Sequence, residues 1–210
     1  MDERLSRRRF LELSATATIP IVLGGCGEQD EPTGTAGEDP GGTDRRLAPT
    51  PACDDGDEPT VEQTEGPFFT PSSPERSSVL APGLEGVALV VSGTVLSTAC
   101  EPIAGAMLDF WQANASGEYD NVGFTLRGHQ FADSKGRYRL ETIVPGVYTG
   151  RTRHIHVKAQ PEDGTVLTTQ LYFPGEPGND TDAIFDPRLV MDVDTAGSKR
   201  RARFDFVLEA

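Results

Sequence analysis

The sequence is short of positive charge. Nineteen lysines and arginines stand against 33 aspartates and glutamates, a net charge of −14 over 210 residues. A nucleic-acid partner needs a basic face to meet phosphate, so the charge balance argues against that class. It argues equally against electrostatic docking on an anionic membrane. No apolar run is long enough to cross a bilayer as a mature helix; the run from Leu13 to Gly25 is too short. There is no long amphipathic helical pattern and no internal repeat. Cysteine and histidine number only three each, and tryptophan occurs once. Turn formers are what the chain has in quantity, with 23 glycines and 16 prolines beside a hydrophobic content of 36%. That mixture fits a turn-rich β protein with a real core, diluted by an unstructured segment.

From Val87 onward the pattern is that of strands. VALVVSGTVLS (87–97), PIAGAMLDFWQAN (102–114), SKGRYRLETIV (134–144), RHIHVKAQ (153–160), TVLTTQLYF (165–173) and RARFDFVLE (201–209) are rich in β-branched and aromatic residues or alternate in polarity. In the third of these, Tyr138 and Leu140 fall on one side and Arg137 and Arg139 on the other. Turn signals recur at 114–117, 134–136, 145–146, 161–164 and 174–178. Residues 180–186 read as a short helical turn. The fold class expected is all-β, an antiparallel β-sandwich.

The stretch that points to chemistry is PGVYTGRTRHIHVK, residues 145–158. On a strand, side chains at i and i+2 share a face, so His154 and His156 converge while Ile155 and Val157 face apolar packing. A Pro-Gly turn places Tyr148 just upstream. A phenol beside a converging imidazole pair suits a hard, highly charged ion, and Fe(III) better than Zn(II). An H-x-H pair alone is also common as an ordinary solvent-facing or hydrogen-bonded couple.

The first 60 residues read differently. Ser6-Arg7-Arg8-Arg9-Phe10-Leu11 resembles a twin-arginine export signal, and Leu23-Gly24-Gly25-Cys26 resembles a bacterial lipobox in which the cysteine carries the lipid. Residues 1–26 are therefore expected to be a lipoprotein-type signal that anchors the exported chain in the cell envelope through Cys26. Residues 27–60 are low in apolar content and rich in Gly, Pro, Thr, Asp and Glu, the composition of a flexible acidic tether. The remaining cysteines, Cys53 and Cys100, most simply pair as a disulfide in an exported protein.

From Gln63 onward the chain resembles the intradiol ring-cleavage dioxygenases of the protocatechuate 3,4-dioxygenase type. The resemblance is carried by QTEGPFF (63–69), GTVLSTACEPIAGAMLDFWQANASGEYD (93–120), RGHQFADSKGRYRLETIVPGVY (127–148), RTRHIH (151–156) and TQLYF (169–173), in family order. It implies a β-sandwich over 61–210 and one mononuclear non-haem Fe(III) held by Tyr119, Tyr148, His154 and His156. It also implies Arg151 as a cation close to the substrate and Gln170 as its support, with Tyr148 as the ligand that leaves when substrate arrives. The activity implied is cleavage of a catechol-type ring between its hydroxyl-bearing carbons, with O2, to a cis,cis-muconate-type product. The partners implied are a small aromatic diol and O2. On this reading Tyr138 and Tyr172 are packed strand residues and His129 has no ligand role.

Arg151 would face away from the histidines if its strand ran unbroken, so Thr149 to Thr152 are expected to be irregular. Catechol 1,2-dioxygenases of this group carry a helical N-terminal dimerisation region; an acidic tether stands there instead, which disfavours that dimer while leaving other oligomers open. Whether QTEGPFF lines the chain's own pocket or another's is not legible. Two other readings compete. The frame also resembles prealbumin-like β-sandwich modules of exported proteins, which are non-catalytic. An Fe(II) oxygenase site would need a carboxylate beside the two histidines, with Asp109 or Glu118 as candidates.

Overall fold

The computed structural model describes residues 58–196 and 199–210. The signal, Cys26, Cys53 and the tether up to residue 57 lie outside the described residues. Nine strands form two sheets: β1 Ala88–Ser97, β2 Met107–Trp111, β3 Arg127–Phe131, β4 Arg137–Ile143, β5 His154–Gln160, β6 Leu167–Tyr172, β7 Asp192–Asp194, β8 Arg200–Arg203 and β9 Phe206–Leu208. The first sheet runs β4-β1-β8-β7 with β9 also on β1; the second runs β3-β2-β5-β6.

Alternation builds the core. Leu89, Val91 and Val95 of β1 and Tyr138 and Leu140 of β4 point inward, as do Leu108 and Phe110 of β2, Ile155 and Val157 of β5 and Leu171 of β6. All are essentially removed from water, each burial contributing about 1.5–3 kcal/mol before entropy is counted. Tyr138 and Leu140 are buried and Arg137 and Arg139 exposed, the parity expected from SKGRYRLETIV.

The sandwich is antiparallel except around β1, which pairs in parallel with β8 and β9. RARFDFVLE is thus two strands. Between them the carbonyl of Phe204 comes so close to Gly93 that a Cβ there would lie 1.7 Å away, and Asp205 Oδ1 takes the Thr94 N–H at 2.7 Å. A side chain on β1 at that point would close the gap. β3 and β7 are strands that the pattern did not mark. The expected helical turn at 180–186 is instead two 3-10 turns, Pro177–Asp180 and Pro187–Leu189, either side of a loop.

A strap formed by residues 58–79 crosses the outer face of the second sheet. It is hydrogen-bonded to the sandwich at Thr60 (N–H to Val207 O, 2.9 Å) and Gln63 (N–H to Thr168 O, 2.8 Å). Glu65 pairs with Lys158 at 2.6 Å, and Ser73 donates to Asp109 at 2.8 Å. Val79 ends the strap inside the core. Cys100 is in a disulfide.

Candidate active site

The outer face of the second sheet carries a row set by register. Trp111 on β2, His156 on β5 and Gln170 on β6 are direct cross-strand partners, and His154 is paired with Tyr172. The two imidazoles converge as their spacing requires: the Nε2 atoms lie 3.1 Å apart. Trp111 stacks on His156, ring centroids 4.8 Å apart and planes 9° from parallel.

The tyrosines come from two turns packed backbone on backbone. After β2, Asn114 Oδ1 accepts the N–H groups of Ser116 (2.9 Å) and Glu118 (3.0 Å) and folds WQANASGEY back on itself. Gly117 sits at φ +88°, and a Cβ there would meet the Val147 carbonyl at 2.3 Å. Gly146, from the other turn, would meet the Gly117 nitrogen at the same distance if it had a Cβ. Two glycines therefore allow the turns to touch, which brings the Tyr119 and Tyr148 rings to 5.9 Å. Tyr119 Oη lies 3.1 Å from His154 Nε2.

The strap closes this cluster from above. Phe68 stacks on Tyr119 at 4.4 Å and meets Tyr148 edge-on at 5.2 Å, while Phe69 packs against Trp111 at 4.9 Å. QTEGPFF thus lines its own chain's site. The buried guanidinium of Arg127 locks the lid, donating to Phe68 O at 2.5 Å and to Asp120 O, next to Tyr119, at 2.9 Å.

Arg151 reaches the cluster from the irregular run expected at 149–152, a turn and bend. Its Nε donates to both oxygens of Asp182 (2.8 and 3.1 Å), and one Nη donates to Gln170 Oε1 at 2.7 Å. Gln170 in turn donates to Thr64 O of the strap at 2.9 Å. The Tyr172 hydroxyl donates to Gln63 Oε1 at 2.6 Å and lies 3.3 Å from an Arg151 Nη. Tyr172 is therefore more than a packed strand residue; its hydroxyl belongs to this network. Asp182, Gln63, Phe68, Trp111 and Arg127 are site residues that the motifs did not single out.

Burial makes the site inhospitable to charge. It pushes the Tyr119 phenol up to about 12, the nearby Arg151 and Arg127 guanidiniums only partly opposing it. Burial also lowers the imidazole of His154 to about 4, against a hydrogen bond to Thr152 that pulls the other way. His156 moves down too, first through burial and then through His154. Burial raises Asp182 as well, but the N–H groups of Thr152 and Ile184 and the Arg151 guanidinium outweigh that and hold its carboxyl below the usual range.

The donor set fits a metal ion. His154 Nδ1 lies 2.6 Å from the Thr152 carbonyl, which can only accept, so Nδ1 carries the proton and Nε2 offers a lone pair. Both His156 Nε2 and Tyr119 Oη crowd that one lone pair at 3.1 Å. A single lone pair cannot satisfy both, and a cation between the three atoms can. Among the described residues no group of three or more His, Cys, Asp or Glu could hold a metal ion. Asp109 is turned to Ser73 and His129, and Glu118 is exposed beside Asn114. A two-histidine, one-carboxylate arrangement is therefore not formed, and the oxygen donors on hand are phenols.

The chain resembles known proteins over the same region. A family model described as dioxygenase matches residues 64–210. The chlorocatechol 1,2-dioxygenase of a Pseudomonas species is 29% identical over 172 residues, 69% of this chain and 68% of that enzyme. The protocatechuate 3,4-dioxygenase beta chain of Burkholderia cepacia is 32% identical over 152 residues, 59% of this chain and 65% of that one. The chain thus spans about two thirds of the length of these relatives. Among solved structures, the dioxygenase domain of a dioxygenase carbohydrate-binding protein fusion from Streptomyces sp. SirexAA-E superposes with a TM-score of 0.71 at 57% identity, covering 73% of this chain and 99% of that domain. The match runs from the strap through both tyrosine turns and the histidine strand to the C-terminal strands, and by it the chain belongs to the intradiol ring-cleavage dioxygenase family.

Proposed function

We propose that this protein is a non-haem Fe(III) dioxygenase that opens a catechol-type ring between its two hydroxyl-bearing carbons. The observation that carries the reading is the convergence of His154 Nε2, His156 Nε2 and Tyr119 Oη within 3.1 Å contacts, beside Tyr148 and under Phe68. Tyr119, Tyr148, His154 and His156 would hold the iron. When bound, the ion supplies Lewis acidity and a template that fixes the diol.

The chain's own residues do the rest. Thr152 holds the His154 tautomer through Nδ1–H. Two tyrosinates offset most of the ion's charge in a low-dielectric site, where an unbalanced charge would be costly. Tyr148, at the exit of a Pro-Gly turn, is the phenolate that swings away and takes a diol proton on its Oη; Tyr119 stays. Arg151, fixed by Asp182 and Gln170, stabilises negative charge that develops on the ring carbon. Phe68 and Trp111 keep water from the ring. The carbon–carbon bond between the hydroxyl-bearing carbons breaks, both atoms of O2 enter the product, and a cis,cis-muconate-type dicarboxylate results. Iron analysis of the purified protein, a visible tyrosinate band and oxygen uptake with catechol, protocatechuate, hydroxyquinol and chlorocatechols test this. A colourless, iron-free protein inert to all four would overturn it.

Export belongs to the same proposal. SRRRF followed by LGGC supports a twin-arginine route and a lipid anchor at Cys26 in the cell envelope. Normal lipid labelling of a Cys26→Ser protein would refute the anchor.

A further inference from the structure

Among the described residues, four buried side-chain polar atoms lack a hydrogen-bond partner: Trp111 Nε1, His156 Nδ1, Gln130 Nε2 and Arg203 Nε. The first two belong to the site above. The other two line a single concavity of about 600 Å³ associated with the other sheet.

Register explains its shape. Ser92 of β1 is flanked by Arg139 of β4 and Arg203 of β8, Thr94 lies beside Arg137, and Val90 beside Arg201. The central strand gives a floor of small side chains and the strands on either side give guanidinium walls. With strands about 4.8 Å apart, the walls rise about 10 Å from each other. The carboxylates are at the edges. Asp133 is taken by Arg137 at 2.7 Å, Glu141 by Arg139 at 2.5 Å, and Asp205 lies 3.4 Å from Arg203 Nη2. Asp192 borders the rim beside Arg203. Arg201 makes no ion pair among the described residues.

Both orphaned atoms are donors; Gln130 comes from β3 of the second sheet and meets the β4 wall at Arg139, while Arg203 belongs to the β8 wall. Gln130 is 8% exposed; its Oε1 accepts the Arg139 N–H at 3.2 Å, which leaves the amide N–H groups without a partner. Arg203 leaves its Nε–H in the same position on the β8 side. Two residues that line the trough, Gln130 and Arg203, thus each carry a buried donor without a partner, and a ligand with two anionic acceptors suits a basic trough with such a lining.

We propose that this trough is a second binding site, for a small dicarboxylate, and that its ligand is the ring-opened product. The choice of ligand rests on the ring-cleaving function proposed above; the trough does not. A dicarboxylate held there occupies the other sheet from the diol pocket, so it does not compete with the diol.

The test is a titration of the isotope-labelled full protein with cis,cis-muconate, followed by the side-chain N–H signals of Gln130 and Arg203. Both signals are expected to move saturably with the dianion and to stay still with its dimethyl ester. Arg201→Glu and Gln130→Leu are each expected to weaken binding at least tenfold, with the rate of catechol cleavage unchanged. Absence of shifts, equal shifts with the ester, or wild-type affinity in both variants would overturn the site. The titration needs no turnover, so a protein inert to catechol would sink the ring-cleaving reading while leaving the trough to be judged by its own signals.

Discussion

Asp182 holds Arg151 by its Nε, 2.8 Å from one carboxylate oxygen and 3.1 Å from the other, across 31 residues of sequence. The carboxylate also takes the Thr152 N–H, so one side chain fixes both the guanidinium and the backbone that enters the histidine strand. Asp182 is a positioning residue, acting through Arg151.

Asp182→Asn keeps the size and removes the charge. The expected loss is about 1–3 kcal/mol of stability and about 10- to 100-fold in kcat/KM for a catechol, with iron content retained. Urea unfolding, metal analysis and oxygen uptake check the three separately. Unchanged kinetics would mean that Gln170 alone orients Arg151.

Gly117→Ala and Gly105→Ala form a controlled pair. Both positions have positive φ, +88° and +71°, so both substitutions carry backbone strain. Only at Gly117 does the new Cβ meet another backbone; at Gly105 nothing lies within 4 Å. Gly105→Ala is expected to cost about 1 kcal/mol. Gly117→Ala is expected to cost more than about 2 kcal/mol and to separate the tyrosine turns, with weakened iron retention. Equal losses in thermal unfolding would show that the contact between the turns is unimportant.

The histidines give the metal-free protein a pH dependence. Burial lowers His154 from 6.5 to about 4. Between those values the unfolded chain takes a proton that the folded one refuses, so stability is present in full above about pH 6.5 and falls as pH drops toward about 4. From His154 the loss is on the order of 3 kcal/mol, and His156 acts in the same direction. Melting temperatures of the chelated protein across this window check it. A flat profile would mean that the imidazoles are hydrated.

The two tyrosines should be unequal. Tyr148→Phe is expected to keep iron and a tyrosinate band but to bind catechol more weakly, because one internal base is gone. Tyr119→Phe is expected to lose the band of the catechol complex and most activity. Anaerobic visible spectra of both variants, with and without catechol, decide. A band that survives catechol only in Tyr119→Phe would reverse the two roles.

What was legible in the sequence is what local spacing governs. Alternate positions on one strand brought His154 and His156 together, and parity assigned Tyr138, Leu140, Arg137 and Arg139 to their faces. Tyr148 was placed beside the histidines by its Pro-Gly turn, whereas Tyr119 came from the family motifs alone, since no periodicity ties it to Tyr148. Asp182 and Gln63 stayed hidden because their roles depend on loops brought in from 31 and 109 positions away. Tyr172 could have been found from its shared face with Gln170, but only once β6 was known to pair with β5. β7 was too short, at three residues, for alternation to show.

The parallel pairing of β1 with β8 and β9 has a consequence for biosynthesis. β1 ends at Ser97, yet its two parallel neighbours come only at Arg200–Arg203 and Phe206–Leu208. During translation that edge of β1 stays open until these later residues have left the exit tunnel. The first sheet therefore cannot close until residue 208 has been made, and the nascent chain must shield that edge from other chains until then. Loss of Phe206–Leu208 would leave that stretch of β1 an open strand edge.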